Sequence, residues 1–283
     1  MGKLIDGKKI SSDIREELKE KIAKLQEEKG VTPGLAVILV GDDPASQVYV
    51  RNKERACKET GIYSEVLRLP ADITEEQLFS YIDGYNKNDR IHGLLVQFPV
   101  PGHLSQQRII DRIDPSKDVD GLSYVNAGKL ASGAADGLVS CTPRGILELV
   151  KRTGTQIEGK HVVIIGRSNL VGKPVAQLFL NENATVTICH SRTKDLPAVT
   201  RTADILIVAI GRPHFVKADF VKDGAIVIDV GTSRFEGKLT GDCDTDTIIE
   251  KASYITPVPG GVGPMTITML LDNTVRACMD HIG

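Results

Sequence analysis

The chain contains no tryptophan, and aromatic residues make up only 4% of it. A surface that stacks on nucleic-acid bases needs such rings. The net charge of −2 offers no basic face for a phosphate backbone either, so no nucleic-acid partner is expected. No apolar run approaches the ~18 residues of a membrane span, and no membrane association is expected. The opening MGKLIDGKKI lacks the apolar core of a secretory signal. Asp6 stands where a myristoylation signal needs Ser or Thr. The five cysteines, Cys57, Cys141, Cys189, Cys243 and Cys278, are scattered, odd in number and never arranged as C-x-x-C. That pattern fits free thiols in a reducing compartment, the cytoplasm, and supplies no metal site. The six histidines are equally dispersed, without H-E-x-x-H, so metal-assisted chemistry is not expected.

What is present is ordinary for a globular protein: 25% charged and 41% apolar residues. A length of 283 residues has room for two domains. Ile14, Leu18, Ile22 and Leu25 recur at spacings of three and four, which predicts a helix over Ser11–Lys29. Leu35–Val40 is a short apolar strand. Asp43 and Pro44 suit the N-cap and first residue of a helix that Gly61 closes. Tyr63–Leu69 can form a strand, Thr74–Gln77 (TEEQ) is a capping box, and Gly93–Phe98 is a third apolar strand. This β-α-β-α-β order predicts a parallel sheet with helical crossovers. The Gly-, Ala- and Ser-rich segment Asn126–Ser140 reads as either a linker or a working loop. Thr142-Pro143 then starts a helix running to about Gly154.

A second β-α-β series begins at His161. Its strands are predicted at Val162–Ile165, Ala184–Cys189, Ile205–Ala209, Ala225–Asp229 and Tyr254–Thr256, with a C-terminal helix over Met265–Met279. The stretch HVVIIGRSNLVGKP is strand, glycine turn and helix, the phosphate-binding start of a dinucleotide fold. Free N–H groups at such a helix start face an anion. The G-x-G-x-x-G fingerprint is incomplete: Gly166 fills the first position, Ser168 the second and Val171 the third, with Gly172 one step late. An ordinary βα turn has the same appearance.

The expected fold is therefore α/β, two α/β domains with parallel sheets, the second Rossmann-like. The expected boundaries are 1–140 for the first domain, with the helix at 265–283 packing back on it, and 141–264 for the nucleotide-binding domain. An active-site cleft between the two is the default expectation for such a pair. PVPG occurs twice, at Pro99–Gly102 and Pro257–Gly260, each just after a predicted strand.

Several side chains could carry chemistry. Ser46, Tyr49 and Lys53 are spaced to share one helix face. Tyr offers a flat ring, and a desolvated Lys can carry a proton. The same spacing also suits a surface lysine beside a half-buried tyrosine. Gln97 is a polar residue at the carboxyl end of an apolar strand, where it needs a partner. Asp118 and Asp120 could accept paired N–H bonds from an amino-pyrimidine ring, or make Asx-turns. After the second strand of the nucleotide domain comes His190-Ser191-Arg192, with none of the carboxylates that hold an NAD ribose. Arg167, Ser191 and Arg192 offer donors and positive charge for a 2′-phosphate, which favours NADP over NAD.

The segments VGDDPASQVYVRNKERAC, GLLVQFPVP, PSKDVDG, CTPRGI, VVIIGRSNLVGKP, ATVTICHSRT and ITPVPGGVGPMT run through nearly the whole chain. Together they resemble the bifunctional methylenetetrahydrofolate dehydrogenase/methenyltetrahydrofolate cyclohydrolase family of bacterial type. The resemblance implies NADP-dependent oxidation of 5,10-methylenetetrahydrofolate, then hydrolysis of the methenyl product to 10-formyltetrahydrofolate. It implies Lys53 as the residue of the hydrolytic step, Tyr49 stacking on the folate, Gln97 bonded to Lys53, and Asp120 holding the pterin. Gly166, Arg167 and Ser168 would cradle the cofactor phosphates with help from Ser191. Thr232 would contact the nicotinamide end, and the Pro257–Thr266 loop, with Pro259, Gly260 and Gly261, would close on tetrahydrofolate substrates. A homodimer is also implied. Three departures from the family pattern stand out: Ser140 in place of Pro, Thr232-Ser233 in place of Ile-Asn, and Cys243 in place of Val.

Overall fold

The structure, a computed structural model, describes residues 2–283. In chain order the elements begin with β1 (Lys3–Leu4), α1 (Gly7–Lys29), β2 (Gly34–Val40), α2 (Pro44–Thr60), β3 (Tyr63–Leu69), α3 (Glu75–Asn86) and β4 (Gly93–Val96). Three helices follow, α4 (Gln106–Arg112), α5 (Tyr124–Ala131) and α6 (Cys141–Arg152). Then come β5 (His161–Ile165), α7 (Gly172–Asn181), β6 (Thr185–Cys189), α8 (Leu196–Thr200), β7 (Ile205–Val208) and β8 (Ile226–Asp229). The chain ends with β9 (Ser233–Phe235), β10 (Lys238–Thr240), α9 (Thr245–Ile248), β11 (Tyr254–Ile255) and α10 (Val262–Ile282).

Two compact units result. One joins Asp13–Cys141 with Ile267–Gly283; the other joins the segment through Ser12 with Thr142–Thr266. The first holds a three-stranded parallel sheet of order β3-β2-β4. Strand β2, GLAVILV, is buried at every position, as a strand covered on both faces must be. β3 lies at the edge and carries the polar Ser64, Glu65 and Arg68. Beneath the sheet, Ile38, Leu78, Ile82, Leu94 and Ile109 form a buried core, each side chain contributing ~1.5–3 kcal/mol by leaving water. The helix signals in the sequence act as expected. Asp43 Oδ2 accepts the Ser46 N–H at 2.7 Å, and Gly61 closes α2 with φ +87°. Thr74 and Gln77 form a reciprocal capping box on α3. Removing the Thr74 hydroxyl in Thr74→Ala should cost about 1 kcal/mol, read as a lowered midpoint in urea denaturation; an unchanged midpoint would mean that water caps α3 equally well.

The second unit holds a six-stranded parallel sheet of order β1-β11-β8-β7-β5-β6. The runs HVVII, ILIV and IVID occupy its interior and pack over Val163, Leu206, Val208, Val227 and Ile255. β9 and β10 add a separate antiparallel hairpin that the sequence reading did not anticipate. Three corrections concern boundaries. The N-terminal segment, expected with the first domain, gives its strand to this second sheet: Lys3 N–H donates to Ser253 O at 2.9 Å and Ile5 N–H to Ile255 O at 2.8 Å. A two-residue exposed strand leaves no apolar period to read. α10 starts at Val262, three residues before its predicted start, so half of the expected Pro257–Thr266 loop is helical. The Gly/Ala/Ser-rich middle is partly helical as α5. Among the described residues no helix is long and apolar enough to cross a membrane, and no group of three or more His, Cys, Asp or Glu is placed to hold a metal. All five cysteines are buried, and none forms a disulfide.

Candidate functional site

α2 has a buried stripe of Ser46, Val50, Lys53, Cys57 and Thr60, the 3.6-residue period of a helix lying on a sheet. Lys53 is a charged residue in that stripe and is only 9% exposed. Such a group needs a partner. Gln97 supplies it: Lys53 Nζ donates to Gln97 Oε1 at 3.0 Å. Gln97 follows directly on β4, the strand that pairs with β2, and its backbone N–H donates to Ile38 O at 2.8 Å. Its Nε2 donates to Phe98 O at 2.8 Å, so the amide orientation is fixed and the oxygen faces the lysine. A neutral amide thus holds the ammonium in place without the charge compensation a carboxylate would give. Tyr49, one turn earlier, is 57% exposed, with its ring open to a ligand. Ser46 Oγ is buried and has no hydrogen-bond partner. Burial pushes the Cys57 thiol up to about 12, so this neighbour on the same stripe is not a nucleophile near neutral pH.

The two carboxylates of PSKDVDG separate cleanly. Asp118 is buried and used internally: its oxygens accept the N–H groups of Leu122 (3.2 Å) and Ser123 (2.8 Å) and the Asn126 amide (3.1 Å). Burial pushes its carboxyl up against those bonds. It is an Asx-type organiser of the loop. Asp120 is half-buried, with the Cys141 thiol 3.9 Å from its Oδ1. Asp118 pairs with Leu94 of β4 through an isolated parallel bridge, and the chain then turns, the Gly121 N–H donating to Asp118 O at 2.9 Å. Of the two carboxylates, Asp118 is thus the one that the loop itself engages, a distinction the loop sequence left open.

In the six-stranded unit, Gly166 ends β5 with φ +123°, and a Cβ there would overlap the Ala209 carbonyl oxygen. A Cβ on Gly172 would likewise overlap the Gly166 carbonyl. Hence the late glycine is the one that lets α7 start close to the strand end. Ser168 Oγ accepts the N–H groups of Val171 (3.1 Å) and Gly172 (3.4 Å), which closes the turn in place of a second glycine. Arg167 projects from this turn and is exposed. β6 pairs with β5, Ile165 opposite Cys189, so Ser191 and Arg192 leave the sheet beside Arg167 at the same carboxyl edge. Both are exposed. The nearest acidic residue, Asp195, caps α8 through Ala198 N–H and is not offered to a ribose. Tight glycines at the turn with two arginines and a serine at its rim fit a phosphorylated dinucleotide.

Thr232 is exposed just past β8 and lines a cavity of about 170 Å³ with Lys8, Leu239 and the segment Pro257–Gly261. Lys8 N–H donates to Gly260 O at 3.2 Å. Sequence reasoning overlooked Lys8 here, and also Asp229 and Asp242, two buried carboxylates at the strand ends. The signal available for Asp229 was an apolar strand that ends in an acid.

Comparison with known proteins also divides the chain in two, with one break between residues 120 and 140. Residues 5–120 match the catalytic domain, and residues 140–282 the NAD(P)-binding domain, of the tetrahydrofolate dehydrogenase/cyclohydrolase family. The bifunctional protein FolD of Bacillus mycoides is 58% identical over 275 residues, 97% of this chain and 96% of that protein. The FolD methylenetetrahydrofolate dehydrogenase/cyclohydrolase of Campylobacter jejuni superposes with a TM-score of 0.96 at 50% identity, covering 99% of each chain. The Trypanosoma brucei enzyme, solved with NADP cofactor and an inhibitor, has a TM-score of 0.92 at 39% identity, covering 99% of this chain and 98% of that one.

Proposed function

We infer the function from a premise that the matches establish: this chain belongs to the tetrahydrofolate dehydrogenase/cyclohydrolase family. It oxidises 5,10-methylenetetrahydrofolate to the 5,10-methenyl compound with NADP⁺ and then hydrolyses that compound to 10-formyltetrahydrofolate. The observation that carries the reading is the buried Lys53 bonded to Gln97 at 3.0 Å, a charged residue in the buried stripe of α2.

When bound, NADP⁺ supplies the acceptor for the hydride. Gly166, Arg167 and Ser168 would hold its phosphates, Ser191 and Arg192 would add donors at the 2′-phosphate, and Thr232 would meet the nicotinamide end. Asp120 accepts N–H bonds from the pterin and Tyr49 stacks on the folate, so orientation supplies much of the rate. In the hydrolytic step water adds to the electrophilic methenyl carbon and gives up a proton. The bond from that carbon to N5 then breaks while the added hydroxyl loses its remaining proton to become the formyl oxygen; of the two protons water gives up, one goes to N5 and one leaves to solvent. Lys53 Nζ carries the proton, held in place by Gln97. Pro259, Gly260 and Gly261 line the substrate side of the loop after β11. The test is NADP⁺-dependent oxidation of 5,10-methylenetetrahydrofolate, run beside NAD⁺ and followed by methenyl absorbance. Formation and decay of the methenyl signal are expected. A signal that forms and persists removes the hydrolase, and no signal removes both activities.

A cytoplasmic homodimer accompanies this reading. Five buried thiols, none in a disulfide, suit a reducing compartment. β6 is an edge strand with Ile188 40% exposed, and Leu170 and Leu180 are exposed in the same unit. An uncovered apolar edge is a pairing surface. Ile188→Lys should therefore yield the mass of a single chain in light scattering; a dimer retained at micromolar concentration would place the interface elsewhere.

A further inference from the structure

Two carboxylates, Asp229 at the end of β8 and Asp242 just after β10, take part in none of the steps above, yet they are almost fully buried. Asp242 Oδ2 accepts the N–H groups of Ile210 (2.7 Å) and Gly211 (3.0 Å), and its Oδ1 accepts that of Arg212 (2.6 Å). Asp229 Oδ1 accepts the N–H groups of Gly231 and of Asp242 itself, both at 2.9 Å, and its Oδ2 accepts that of Cys243 at 2.8 Å. Six backbone donors thus converge on two side chains, four of them from the adjacent exits of β7 and β8 and two from the segment after β10. The approach is close: a Cβ on Gly231 would overlap the Asp242 carboxylate, and a Cβ on Gly241 would overlap Asp229 Oδ2. Burial, with the Asp242 charge beside it, pushes the Asp229 carboxyl up to about 6. The N–H donors are what keep such a group ionised near neutrality.

The location gives this cluster a task. Ala209, whose carbonyl abuts Gly166, leads straight into Ile210–Arg212. Gly231, bonded to Asp229, leads straight into Thr232. The loop beside the phosphate turn and the loop at the nicotinamide end are therefore fastened to one another through Asp242 and Asp229. We propose that Asp242 is a positioning residue of the dehydrogenase half of the reaction, holding the loops after β7 and β8 in the spacing that the bound dinucleotide requires. This rests on the NADP-dependent reading above. Asp242 belongs to the six-stranded unit and has no part in the Lys53–Gln97 pair, so hydrolysis of the methenyl compound does not depend on it.

The experiment compares two activities in the same preparation of full-length Asp242→Asn. The first is the dehydrogenase rate across NADP⁺ concentration. The second is hydrolysis of 5,10-methenyltetrahydrofolate supplied directly, without NADP⁺. The substitution keeps the shape but turns an N–H donor towards the Arg212 N–H. The ratio of dehydrogenase to hydrolase activity should fall about tenfold or more, within the ~10²-fold that a misplacement of 1 Å can cost, with the KM for NADP⁺ raised. Because hydrolysis counts the folded molecules, a general loss of structure leaves the ratio unchanged. Gly241→Ala disturbs Asp229 Oδ2 without altering charge and should lower the same ratio. Parallel loss of both activities, dehydrogenase unchanged in a folded variant, or failure of both variants to fold would each overturn the proposal. A wild-type enzyme without dehydrogenase activity would instead refute the functional reading itself.

Discussion

Lys53→Met is expected to remove methenyl hydrolysis while the protein still folds and binds NADP⁺. Methionine has nearly the length of lysine and suits the buried stripe of Val50, Cys57 and Thr60, so α2 keeps its packing. What is lost is Nζ, and with it the group that moves a proton between water and the folate nitrogen. Positioned proton transfer contributes about 10²–10⁴-fold, and the hydrolysis rate should fall by that order. Gln97 is half-buried and keeps its Nε2 bond to Phe98 O, so only the bond to its oxygen is lost. The stability change should thus stay within about 1.5 kcal/mol, the worth of one hydrogen bond. The measurement is the decay of methenyl absorbance, with a thermal melt on the same sample. Wild-type decay would remove Lys53 from the step. Loss of decay together with a collapsed melt would reduce the lysine to a structural role.

Arg167→Ala addresses the other unit. Arg167 is exposed at the glycine turn beside Ser191 and Arg192, and no carboxylate at that edge is free to take a ribose hydroxyl. A charge-assisted bond to a 2′-phosphate is worth about 1.5–3 kcal/mol, and the change should weaken NADP⁺ by about 10- to 100-fold. NAD⁺ has no 2′-phosphate and should lose far less. Titration of both dinucleotides by calorimetry decides the matter. Equal losses would mean that Arg167 serves the pyrophosphate or the turn itself, and that cofactor choice is made elsewhere.

The sequence by itself determined most of the scaffold. Runs such as LAVILV, HVVII and ILIV have one stable use in a chain of this size, as strands covered on both faces by helices. The caps at Asp43 and Thr74 act within three residues and so were legible locally. The family was legible from the order of its motifs, and the matches over residues 5–120 and 140–282 agree with it. The tertiary structure alone decided the rest, because those features depend on groups far apart in the chain. The Lys53–Gln97 bond spans 44 residues. Asp118 and Asp120 look alike in PSKDVDG, and only the donors around Asp118 show which carboxylate is consumed by the loop. Lys3–Leu4 joins a strand 251 residues away through backbone bonds that carry no side-chain signature. The late Gly172 is explained by the nearness of the Gly166 carbonyl, not by its own place in the fingerprint. Local propensity writes helices and strands into sequence. Which polar groups stay free for a ligand is settled only when the folded chain has satisfied the others.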